Sequence, residues 1–275
     1  MKENNRLLIE PGFTPMVHHI VGSSISYCWY VALDKVITDG RKYKVEAGSF
    51  EGQHRLTLPL VIEIHKPWIR DLAVYIPEGS GIPPPTTEEK IYKYFESLIT
   101  PDVAPDQHYT YGQDLWWQVE EVIAYFKKHG FGSACGHMIV GRPESLFHYN
   151  REVDLHEMIL VTDRNTGKPL WSRYITNVWN KNEQVQVSSQ CLRSIDCWVE
   201  NGKLHFWIYF RSWDLRDGFP ENVGGFQLLK EYMKDVLGLE DGPMIVSGKD
   251  VHVYEHGWHI VLNQLKKNEE ILLNR

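Results

Sequence analysis

The spacing of apolar and polar positions changes several times along the 275 residues, and each change predicts an element. In "QDLWWQVEEVIAYFKKHG", Leu115, Val119, Val122, Ile123 and Phe126 share one helical face, basic residues follow, and Gly130 closes the segment. "EGSGIPPPTTEEKIYKYFESLI" is a loop entering a helix, with Thr87 as N-cap and Glu88 and Glu89 complementing the dipole in the first turn. A third helix is expected after Asn222 in "VGGFQLLKEYMKDVLG", on Phe226, Leu229, Met233 and Val236, with a Gly-Gly start open to close approach. Elsewhere the pattern is strand-like. "SISYCWYVALDKVITDGRKYKVEAG" reads as two strands around an Asp-Gly turn, and "HRLTLPLVIEIHKPW" as a further β-branched strand. "SACGHMIVG", "EMILVTD" and "SRYITNVWN" read as strands, the last two around "RNTGK", and "MIVSGKDVHVYEHGWHIV" as a strand and a turn rich in histidine. Strands and helices mixed without regular βαβ alternation predict an α+β fold, and no repeat or long linker divides residues 1–275, so a single domain is expected.

The most readable stretch is "CLRSIDCWVENGKLHFWIYFRSWD". Asn201-Gly202 signals a two-residue hairpin loop, which pairs Glu200 with Lys203. Followed outward, that register sets Cys191 opposite Ser212 and one step from Arg211. A thiol, a hydroxyl and a guanidinium therefore meet at one strand end. Because side chains alternate, a strictly regular register would put Arg211 on the other face from Cys191. A bulge or a frayed strand end is needed to aim both at one ligand.

Composition narrows the partners. The chain is 43% hydrophobic and 24% charged, which is globular, and its net charge of −7 argues against a nucleic-acid polymer or an anionic membrane as partner. "MKENNRLLIEPG" lacks a signal-peptide core, and no run reaches the length of a membrane span. Cys28, Cys135, Cys191 and Cys197 form no CxxC pair, so a reduced, cytoplasmic protein is expected.

A cysteine beside an arginine is a candidate nucleophile, since nearby positive charge favours the thiolate; the competing reading is a buried structural cysteine, adopted for Cys28, Cys135 and Cys197. His252, His256 and His259 in "HVYEHGWH" have spacings compatible with a metal, but also with hydrogen bonds to substrate or backbone, and the latter is preferred. No phosphate-cradling glycine loop or GxSxG elbow occurs.

"QC", "FRSWD…GFPEN" and "GKDVHVYEHGW" together resemble the thymidylate synthase family. Its signature runs from a catalytic cysteine through Gln-Arg-Ser-x-Asp and Gly-x-Pro-Phe-Asn to Gly-Asp-x-His-x-Tyr, and from Cys191 to Tyr254 it fits without a gap. The wording of "CLRSID" and "RSWDL" is nearer the divergent, archaeal-like branch, which is related to the pyrimidine nucleotide hydroxymethylases. The resemblance implies an α+β obligate homodimer with sheets stacked back to back. It also implies C5 methylation of dUMP to dTMP, with 5,10-methylenetetrahydrofolate or a related tetrahydropterin giving the one-carbon unit and the hydride.

By the same resemblance, Cys191 adds to C6 of the pyrimidine. Arg211 and Ser212 hold the 5′-phosphate, and Arg211 also lowers the thiol pKa. Asp214 faces the pterin, Asn222 reads the base at N3 and O4, and His252 and Tyr254 bind the 3′-hydroxyl. Tyr111, in "YTYGQ", helps remove the C5 proton. The catalytic glutamate maps to Glu89, or else Glu88.

The departures are specific. Phe210 replaces the usual glutamine, Leu192 the histidine after the nucleophile, Ser189-Gln190 the Pro-Pro pair, and Glu221 the phenylalanine before Asn222. Of the paired arginines that a partner lends to the phosphate, only Arg173 in "SRYITNVWN" is matched, with Arg55 a candidate replacement. "NEEILLNR" does not match the family's closing residues. Two other functions stay open: hydroxymethylation of dUMP, dCMP or CMP, and nucleotide binding without turnover. An amide at 222 favours uracil, where an Asp would favour cytosine.

Overall fold

The computed structural model describes residues 16–46, 50–103, 110–131, 136–140, 158–162, 169–173 and 190–273. The chain opens with β1 (His18–Gly22), α1 (Ile25–Asp39), β2 (Arg41–Lys44) and β3 (His54–Ile64). Next come α2 (Glu88–Leu98), α3 (Gly112–His129), β4 (Gly136–Ile139), β5 (Met158–Thr162) and β6 (Pro169–Arg173). The last part holds β7 (Leu192–Glu200), β8 (Lys203–Phe210), β9 (Trp213–Asp214), α4 (Gly218–Leu237), β10 (Glu240–Tyr254), α5 (Trp258–Leu265) and α6 (Glu270–Leu273).

One mixed sheet of eight strands runs β1-β3-β10-β8-β7-β4, with β2 beside β3 and β9 beside β10; β5 and β6 pair separately. This is the expected α+β architecture. Alternation sorts the two faces. Leu56, Leu58, Leu60, Ile62 and Ile64 of β3, with Leu204, Phe206, Ile208 and Phe210 of β8, point at α1 and α4 and form the core. The opposite face carries Val21, Ile139 and Trp207, all exposed. Among the described residues, this face has no helix over it.

The segment around Cys28 is a correction. Strand-like in composition, it forms α1, and only β2 follows the glycine as a strand. Period outweighs residue type here: Ile25, Cys28, Trp29, Ala32, Leu33, Val36 and Ile37 are buried at helical spacing, and Ser24 Oγ caps Tyr27 N at 3.3 Å. Cys28 and Cys197 are buried, while Cys135 lies outside the described residues.

The helix expected after Asn222 starts earlier, at Gly218, so Gly224-Gly225 is not a helix start. It marks the crossing with α2. A Cβ on Gly224 would come within 2.9 Å of Ile91, and one on Gly225 within 2.3 Å of the Tyr94 ring. The strand expected over "SRYITNVWN" is observed as far as Arg173; the remainder lies outside the described residues.

Candidate active site

The β7–β8 hairpin turns at Asn201 and Gly202, both at positive φ (51° and 74°), and pairs Glu200 with Lys203 as the sequence predicts. The register then shifts between Leu192 and Ser194, so Leu192 faces Phe210. Arg211 N donates to Cys191 O at 2.9 Å, which puts Cys191 opposite Arg211 rather than Ser212. Leu192 and Phe210 are both fully buried toward the helices. Their neighbours Cys191 and Arg211 therefore share the opposite face. The bulge at Arg193 supplies the aim that a regular ladder lacks.

A second bulge completes the cluster, and its cause is local. Pro59 lies inside β3 and has no N–H to give the ladder. Opposite it, the β10 register shifts between Gly248 and Val251, leaving Lys249 and Asp250 against one residue. Asp250 becomes a hub. Its Oδ1 accepts from Thr57 Oγ1 at 2.6 Å, and its Oδ2 accepts from Ser212 Oγ at 3.0 Å and meets Arg55 Nη2 at 2.8 Å. The buried His252 places Nδ1 3.1 Å from Asp250 O and 3.5 Å from Oδ1. Burial alone would raise the Asp250 carboxyl. Hydrogen bonds from His252 and Thr57, with the charges of His252 and Arg55, outweigh that and hold it well below the usual carboxylate range.

Tyr254 stands beside Arg55 across the β3–β10 ladder. Its ring meets His252 edge-on at 4.6 Å and Phe50 at 4.3 Å, and Phe50 also stacks on His256 at 5.0 Å. Gln53 Oε1 lies 3.0 Å from His256 Nδ1, and Glu255 Oε2 accepts from His54 N at 2.8 Å. Phe50, Gln53 and His54, at the entry to β3, are thus fastened over the end of β10. His259 is solvent-exposed on α5, whose Trp258, Val261 and Leu262 are buried. Among the described residues, no three His, Cys, Asp or Glu side chains converge as a metal site.

Tyr111, just before α3, accepts from Leu192 N through its hydroxyl at 3.4 Å, one peptide from the thiol. Asp214 lies on β9 beside His252, and its Oδ1 accepts from Arg216 N at 2.9 Å and Asp217 N at 3.1 Å. Burial raises its pKa; those two backbone N–H groups and His252 act against the rise. Asn222 sits in the first turns of α4, with Trp213 Nε1 donating to its Oδ1 at 3.1 Å.

Two expectations change. Glu89 is not brought to this cluster: it is solvent-exposed on α2 and pairs with Lys93 at 2.7 Å. A first-turn carboxylate with a lysine four residues on finds its partner along the helix. Glu88 Oε1 accepts from Ala73 N at 2.7 Å. The thiol also differs from expectation. Burial pushes the Cys191 pKa up, Arg211 pulls it down as expected, and the carboxylates of Asp250 and Asp214 add to the rise, so the net shift is upward. Arg173 is at the end of β6.

The sequence reading missed Asp250, Thr57 and Trp213. Asp250 and Trp213 lie inside the quoted motifs, and the proline in a strand-like run was the signal for the bulge that turns Asp250.

These features define a class: an α+β domain in which a thiol at a sheet end faces an arginine, with histidine and tyrosine from a neighbouring strand. The fold matches a thermostable thymidylate synthase A from Bacillus subtilis, with a TM-score of 0.56 and 15% identity, over 90% of this chain and 85% of that one. The thymidylate synthase family profile matches residues 115–273, and the chain belongs to that family. A Methanosarcina acetivorans protein bearing that name provisionally is 27% identical over 248 residues, 90% of this chain and 94% of its own. A thymidylate synthase of Vesicomyosocius okutanii is 30% identical over 123 residues, 44% of this chain and 47% of its own.

Proposed function

We propose that the protein methylates dUMP at C5 through a covalent Cys191–C6 adduct. The observation that carries this reading is the Arg193 bulge, which sets the Cys191 thiol and the Arg211 guanidinium on one face. Attack of sulfur on C6 moves the electron pair through C5 toward O4, and an Asn222 amide N–H is the donor assigned to that oxygen. C5 then takes up the one-carbon unit, and its proton leaves; the Tyr111 hydroxyl is the group assigned to that transfer. Loss of that proton returns an electron pair that would expel the pterin nitrogen and leave an exocyclic methylene; hydride addition to that methylene would give the methyl, and expulsion of Cys191 as thiolate restores the C5–C6 double bond. A methylene-tetrahydropterin supplies the carbon and the hydride. Asp214, a half-buried carboxyl held by two backbone N–H groups, has the chemistry to pair with pterin ring nitrogens.

Arg211 and Ser212 are assigned to the phosphate, and Arg55, fixed by Asp250, adds a second guanidinium from within the same chain. His252 and Tyr254 are assigned to the 3′-hydroxyl. We further propose that a second copy covers the helix-free face bearing Trp207 and Ile139, and that Arg173 is lent across it. Glu89 takes no part in this scheme, because it is tied to Lys93 in solvent.

The test is tritium release from [5-³H]dUMP with methylene-tetrahydrofolate, beside Cys191→Ala. Release that needs both Cys191 and the pterin is expected, with the variant slower by roughly a thousandfold or more. Release that survives loss of the thiol would sink the mechanism. Product analysis separates methyl from hydroxymethyl.

A further inference from the structure

An amide can read either pyrimidine if it is free to turn over. Uracil offers a donor at N3 and an acceptor at position 4; cytosine offers the reverse, and a half-turn of the amide exchanges its own donor and acceptor to match. Asn222 is not free in this way. The indole N–H of Trp213 can only donate, so the amide atom 3.1 Å from it must be the oxygen. That points the Asn222 NH2 group away from the indole.

Trp213 is itself immobilised. Its ring lies parallel to Phe210 with centroids 4.7 Å apart and stacks on Phe219 at 4.9 Å, and all three side chains are buried. The amide is held by a wall that cannot turn with it.

We infer that Trp213 is the positioning residue for base selection: it locks the Asn222 amide in one orientation, so the site accepts one pyrimidine pattern and rejects the other. The inference rests on the proposed nucleotide site, and by that reading the accepted base is uracil. A cytosine nucleotide would have to break the indole hydrogen bond or leave its own edge unpaired, and either outcome costs affinity.

The experiment uses the full chain with Trp213→Phe, which keeps an aromatic ring between Phe210 and Phe219 and removes the indole N–H together with the second ring. Dissociation constants for dUMP and dCMP are measured by calorimetry, with melting temperature as a check on the fold. The wild type is expected to favour dUMP, and the variant to lose about tenfold of that ratio, mainly by binding dCMP better. An unchanged ratio, or an equal loss for both nucleotides, overturns the lock while leaving the nucleotide site standing. A wild type that binds neither nucleotide overturns the site and the lock together. Should the variant not fold, the wild-type ratio decides: a preference for dUMP supports the lock, and equal affinities for the two nucleotides overturn it.

Discussion

At the start of α2, Thr87 Oγ1 accepts from Lys90 N at 3.3 Å and Glu89 pairs with Lys93 at 2.7 Å, all of it in solvent. At the bulged end of the sheet, Asp250 likewise meets hydroxyls and a cation, but Thr57 and Ser212 are buried there and Arg55 is mostly covered. The residue types are alike; the surroundings differ. On the helix, water screens the charges, and the pair merely complements the dipole. In the sheet, two bulges turn charged side chains toward one another, each shifts its neighbours, and an arrangement able to hold an anion beside a thiol results. Backbone irregularity separates the two cases more than composition does.

The contrast breaks most readily at Arg211. Arg211→Gln should weaken dUMP binding by roughly ten- to a hundredfold, the worth of a lost charge-assisted hydrogen bond. It should also move alkylation of Cys191 by iodoacetamide to higher pH, from a midpoint that burial already raises above the ordinary thiol range. Rate–pH profiles of both proteins check this, and a midpoint unmoved by the substitution would remove Arg211 from the thiol's surroundings.

Asp250→Asn comes next and reads on the fold. It should cost about 1–3 kcal/mol at neutral pH, because Arg55 would lose a charged acceptor in a mostly buried place. The sign with pH follows from the lowered Asp250 pKa. Its contribution is complete above the ordinary carboxylate range and fades as pH falls through the lowered value, so the difference between the two proteins should shrink below about pH 4. Urea unfolding across pH measures it. The smallest effect belongs to the helix: Glu89→Gln should change turnover by less than about twofold and stability by a few tenths of a kcal/mol. A large loss of turnover at Glu89 would erase the distinction between the two regions.

Much of the site was legible because its strongest signal is local. Asn201-Gly202 sets the hairpin from two residues, and the need for a bulge near Cys191 follows from alternation alone; its position at Arg193 does not. Long-range partners were beyond reach. Nothing near Asp250 in sequence indicates Arg55 or Thr57, which arrive from β3, and Phe50 reaches Tyr254 in the same way. The Trp213–Asn222 contact depends on α4 beginning at Gly218, earlier than the apolar spacing indicates, because its first turn carries Pro220 and Glu221. The α1 segment was misread because aromatic and β-branched residues argue for strand while their spacing argues for helix.

The place of β10 in the sheet bears on how the molecule is made. This strand, residues 240–254, lies between β3 and β8, although both are synthesised well before it. On the ribosome, β3 and the β7–β8 hairpin must therefore wait with facing edges unpaired, the condition in which strands recruit wrong partners. Closing the sheet is then one late insertion, which joins the two halves and delivers Asp250, His252 and Tyr254 together. A nascent chain stopped before β10 would lack the middle of its sheet and would be a ready substrate for a chaperone.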